Sequence, residues 1–162
     1  MTERSFFLQF CLLAVLLSAS AFASATGKPD SVSVVQGFLR DVWQNGNPEA
    51  VDEYVVEDFV ITTGGKEIRS REPFKKWVAD FQAKISDMKV DVVETIPNVD
   101  GSRVVTRLRV TGKNNGMFGL KADQKPFLLT ATAVWAVTPD GKLKHNWVER
   151  NAWEVYKQLT SN

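Results

Sequence analysis

The chain has 162 residues, with 20 Lys and Arg against 19 Asp and Glu and a formal charge of +1. No basic stripe or charge block stands out, so nucleic acid has little electrostatic footprint to bind and is not an expected partner. The only cysteine, Cys11, rules out a disulfide within the chain.

Residues 6–17 are apolar apart from Gln9, and small residues follow as far as Ala25. Such a run is too short to cross a bilayer as a helix and fits the core of a signal peptide. Two cleavage patterns fit, Ala21 with Ala23 and Ala23 with Ala25, and the cut after Ala25 is favoured. The expected organisation is a signal peptide over 1–25, removed on export, and one domain over 26–162. That domain is expected to be periplasmic or secreted, with no membrane span after processing. Cys11 lies inside the apolar run and not at a cleavage site, which argues against lipidation. The mature chain then has no thiol and must be stabilised by its core, for which its length suffices.

From Ser31, the residues Val35, Phe38, Leu39, Val42 and Trp43 recur at helical spacing and predict an amphipathic helix that stops at Asn45 and Gly46. Asn47 as N-cap and Pro48 in the first turn predict a second, short helix bearing Val51, Tyr54 and Val55. A brief strand over 59–62 follows, and Gly64 and Gly65 turn the chain. A third helix is expected from Ser70, with Phe74, Trp77, Val78, Phe81 and Ile85 on one face. The period then changes to two. Strands are expected over 88–96, around 104–111, over 125–138 and over 142–151, with turns at Asp100 and Gly101 and at Asp140 and Gly141. A short helix over 152–159 completes the chain. Helices first and hairpin-linked strands afterwards predict an α+β fold, a curved antiparallel sheet packed against N-terminal helices.

Several short stretches carry a resemblance. Glu57 and Asp58 precede the first strand, and Thr111, Gly112, Asn114 and Gly116 form a loop. Asp140, Gly141, Lys142 and Leu143 make a hairpin, and Trp147 and Asn151 are followed by Gln158 and Leu159. In this order they resemble the SnoaL-like family of polyketide and ester cyclases, within the cone-shaped nuclear transport factor 2-like fold. The resemblance covers nearly all of the mature chain. It implies a cavity between sheet and helices that takes a small apolar or polyketide-like molecule, and pairing of two copies as a homodimer. It also implies proton-transferring residues at three places, where this chain has Thr62, Asn114 and Asn151. None of these titrates near neutral pH, so they are expected to bind ligand instead of moving protons.

Alternate residues on a strand share a face, so His145, Trp147, Glu149 and Asn151 point together. If the resemblance puts Asn151 in the cavity, Trp147 joins it as a ligand contact, and Glu149 with His145 becomes the candidate acid–base pair. A desolvated glutamate would have a raised pKa and could serve as general acid or base. Glu149 could equally form a structural ion pair with Arg107 or Arg109, and Asn151 could cap the final helix. His145 is the only histidine and cannot assemble a metal site alone, so neither a metal nor a cofactor is expected.

Three readings follow: an exported binding module, a cyclase, isomerase or hydrolase using Glu149, and a dimeric interaction protein. N-terminal sequencing of the exported protein is expected to begin at Thr26, or at Ser24 if the earlier site is used. A chain retained in the cytoplasm with Met1 in place would overturn the export reading.

Overall fold

The computed structural model describes residues 30–161. The apolar run, Cys11 and both cleavage sites lie outside them. Asp30 starts the first helix, its carboxylate accepting from the backbone N–H of Val32 at 3.3 Å and of Ser33 at 3.1 Å. That satisfies two donors the first turn would leave unpaired. Helix α1 (Ser31–Phe38) runs directly into a wider π-helical turn, Leu39–Gln44. Val35, Phe38, Leu39 and Val42 are all buried along this joint element.

Asn47 accepts from Glu49 N–H at 3.2 Å and begins a single 3-10 turn with Pro48, which passes into the one-turn helix α2 (Val51–Tyr54). Val55, expected on this helix, already opens strand β1 (Val55–Thr63). β1 hairpins through Gly64 and Gly65, both at positive φ, into β2 (Lys66–Arg69). Helix α3 (Arg71–Gln82) buries Phe74 and Val78 and packs Trp77 and Phe81 against the core. Ile85, expected on that helix, begins β3 (Ile85–Pro97) instead. The chain continues through β4 (Arg103–Asn114), β5 (Pro126–Val137) and β6 (Leu143–Arg150) to helix α4 (Ala152–Thr160).

The six strands form one open sheet in the order β2-β1-β6-β5-β4-β3. Every neighbouring pair is antiparallel except β1 and β6, which run parallel. The α+β cone is thus as expected, with one parallel pairing where the last strand returns beside the first. Helices α1 and α3 cover the inner face, while α4 packs beside β5. There Gln158 accepts from Leu128 N–H at 2.8 Å and donates to Leu128 C=O at 3.1 Å, as a further strand would.

The sheet has two free edges. β2 carries Lys66, Glu67 and Arg69 along its length. β3 is broken by irregularities between Ser86 and Lys89 and between Val92 and Glu94. Among the described residues, no helix is long and apolar enough to cross a membrane.

Candidate functional site

Register decides what faces the helices. On β4, Val104, Thr106, Leu108 and Val110 point inward, and their cross-strand partners on β5 are Trp135, Ala133, Ala131 and Leu129. On β6 the same rows continue with Asn146 opposite Trp135, Val148 opposite Ala133 and Arg150 opposite Ala131. Phe38, Trp43, Phe74 and Phe81 close the cone from the helix side. Trp135 Nε1 donates to Thr106 Oγ1 at 3.0 Å, with both residues buried. Trp135 therefore offers the cone only a ring, edge-on to Phe38 with centroids 5.2 Å apart.

This packing leaves about 60 Å³ for the centres of water-sized groups. Ordinary small-molecule sites are far roomier, at roughly 300–1,000 Å³. The lining among the described residues is apolar except for Asn146 and Arg150, and it holds no carboxylate, histidine or hydroxyl. Asn146 is buried and donates to Val134 C=O at 3.3 Å.

Arg150 is partly buried. Its guanidinium carbon lies 5.2 Å from the ring centre of Trp77 and 5.3 Å from that of Phe81, and Nη1 donates to Thr63 Oγ1 at 3.0 Å. Burial pulls its pKa down to about 10, against the opposing pull of the Glu149 charge. It therefore stays protonated at neutral pH. Asn146 and Arg150 were not among the expected site residues, and the one signal for them in the sequence is their alternation with His145, Trp147 and Glu149.

Those expected residues take the opposite face. His145, Trp147 and Glu149 pair with Ala136, Val134 and Thr132, and all point away from the helices. The expectation that Asn114, Trp147 and Asn151 line one cavity is therefore corrected: none of the three lines the cone. Glu149 is exposed, and it lies four positions along the strand from His145, roughly 13 Å away. That is too far for the two to act on one bond. Glu149 forms no ion pair among the described residues, and Arg107 bonds Glu94 at 3.2 Å instead.

Asn151 occupies the N-cap position of α4 but makes no side-chain cap bond. Its Oδ1 accepts from Thr130 N–H at 2.8 Å, extending the β5–β6 ladder by one rung. Asn114 is fully buried, and all its hydrogen-bonding capacity is used within its own loop. Nδ2 donates to Lys121 C=O and to Asp123 Oδ1, both at 2.8 Å, while Oδ1 accepts from the N–H of Gly116 and of Met117. It clasps the loop and has nothing left for a ligand.

Thr62 also faces outward. Its Oγ1 and His145 Nε2 share a hydrogen bond of 2.9 Å. The imidazole stacks on Trp147 with centroids 3.7 Å apart and planes 7° from parallel, and Arg103 lies 5.7 Å from the Trp147 ring centre. His145, Trp147 and Arg103 border an open valley of about 720 Å³. Burial lowers the His145 pKa below its ordinary value, with Glu67 opposing and Arg69 and Arg103 adding to it. Among the described residues, no group of three His, Cys, Asp or Glu side chains could hold a metal ion.

The sequence model for SnoaL-like polyketide cyclases matches residues 33–159. The chain belongs to this family. No curated protein matches it. Among solved structures, it is similar to a SnoaL-like protein from Jannaschia sp. CCS1, at 16% identity and a TM-score of 0.74, covering 83% of this chain and 94% of that one. It also resembles TsrD from Streptomyces laurentii, at 18% identity and a TM-score of 0.70, covering 82% and 96%. An LEH-like epoxide hydrolase from M. tuberculosis shares the fold at 18% identity and a TM-score of 0.63, covering 80% and 84%. At these identities the solved structures establish the SnoaL-like fold alone.

The His145 environment gives a pH signature. Because the folded state favours the neutral ring, the unfolded chain binds the proton more readily between the lowered pKa and the ordinary value of about 6.5. Stability is then full above about pH 6.5 and falls as pH drops through that window. Urea denaturation midpoints are expected to decline from neutral pH to pH 5 in the wild type and to decline less in His145→Gln. Equal declines in both proteins would show that His145 is not desolvated in the fold.

Proposed function

We propose that this chain is an exported SnoaL-like domain that binds a small, mostly apolar molecule in its cone without transforming it. One observation carries the reading: the cone lining among the described residues has no group that exchanges a proton near neutral pH. Closing a carbon ring or opening an ester needs a base within hydrogen-bond reach of the reacting atom. Asn146 and a protonated Arg150 can orient a ligand, but neither can take its proton. The acid–base alternative has its residues, Glu149 and His145, on the outer face and well apart. Export rests on the apolar run before Ala25.

Native mass spectrometry of protein purified from its own host is expected to show a small apolar adduct. Ala131→Leu extends a side chain from the inner face into the space left in the cone. It should weaken that binding about ten-fold or more while destabilising the fold by roughly 1–3 kcal/mol. An empty native protein that also fails to take up small apolar probes would overturn the reading.

The outer face supports a second copy as partner. Ile96, Val105, Val134 and Trp147 are consecutive cross-strand partners and make an apolar row across four strands. Ile96 is 50% exposed and Trp147 38%. A two-fold pairing of this row would bury it against itself. Light scattering at micromolar concentration should report a dimer for the wild type and a monomer for Trp147→Glu. A monomeric wild type would refute the pairing.

A further inference from the structure

A buried cation normally has a counter-ion, because the desolvation it suffers is otherwise uncompensated. Arg150 has none. No carboxylate among the described residues forms an ion pair with it. Among the described residues, a single side-chain hydrogen bond, to the neutral Thr63 hydroxyl, engages it. The faces of Trp77 and Phe81 supply the remaining attraction, and a ring quadrupole compensates a desolvated cation only in part. The charge nevertheless lines a cone that is apolar but for Asn146, on the row of Leu108 and Ala131.

We propose that the cone recognises a monocarboxylate, with Arg150 holding the carboxylate and the apolar lining holding the tail. The proposal rests on the cone-binding reading above and names its ligand class. Five N–H donors in a planar fork suit a carboxylate in bidentate geometry, and the bond to Thr63 occupies one nitrogen and helps fix the fork's orientation. A dianion such as phosphate would need more donors than this lining offers, since among the described residues Asn146 is the only other polar side chain in it. The limited space favours a small ligand, a short aliphatic chain or at most a single ring, over a fused polycycle. A carboxylate in this position would supply a counter-charge to the guanidinium.

Calorimetric titration of the purified protein with benzoate and hexanoate, each against its neutral amide, tests this at pH 7. The acids are expected to bind about ten-fold or more tightly than benzamide and hexanamide. Arg150→Gln should remove that preference, bringing acid and amide to similar affinities. Arg150→Lys, which keeps the charge but loses the fork, should retain part of it.

Equal affinity for acid and amide in the wild type would overturn the carboxylate assignment and leave cone binding standing. Failure of all four compounds to bind would remove both readings together. The wild-type comparison decides the matter even if Arg150→Gln fails to fold.

Discussion

Strand β6 is where the molecule's constraints meet. It pairs parallel with β1 on one side and antiparallel with β5 on the other, so its register is held from both edges. The side chain of Asn151 adds a rung where the strand's own backbone pairing ends. Side chains alternate with a period of two, so a slip of one residue would exchange the two faces completely. It would bring His145, Trp147 and Glu149 into the cone and carry Arg150 out. The chemistry available to the cone therefore follows from strand pairing more than from any local motif.

That dependence explains what the sequence could and could not reveal. The order of elements, the Asn47 cap, the turns and the strand alternation were legible because each rests on neighbours close in sequence. The π turn after Phe38 was hidden, since a helical period of 3.6 and a slightly wider one differ little over a single turn. Val55 and Ile85 are apolar residues at element boundaries, and their burial fits either assignment.

The choice of face on β6 was harder. The inward set contains an asparagine and an arginine, while the outward set contains a tryptophan, so composition pointed the wrong way. Only pairing with the plainly apolar inner rows of β4 and β5 resolves it. The Asn114 loop was recognisable as a motif, but its partners, Lys121 and Asp123, lie across a turn whose path the sequence does not announce.

The cone combines two properties that seldom coexist. It is closely packed by aromatic rings, which favours stability, yet one wall carries a permanent positive charge. Phe38 contacts Phe74 and Trp135, and Phe74 in turn stacks near Trp77, so the rings form a continuous support behind the guanidinium. A charge held against such a rigid backing loses little orientational freedom when a ligand meets it, which favours selective over loose binding.

The open sheet has a consequence for how the protein avoids aggregation. Unpaired strand edges can template the addition of foreign strands and the growth of aggregates. Here one edge is the short, charged β2 and the other is the bulged β3. Neither presents a long, flat, apolar ladder to a passing chain. The irregularities in β3 thus serve as protection against fibril formation, and straightening them would expose a hazard without improving the cone.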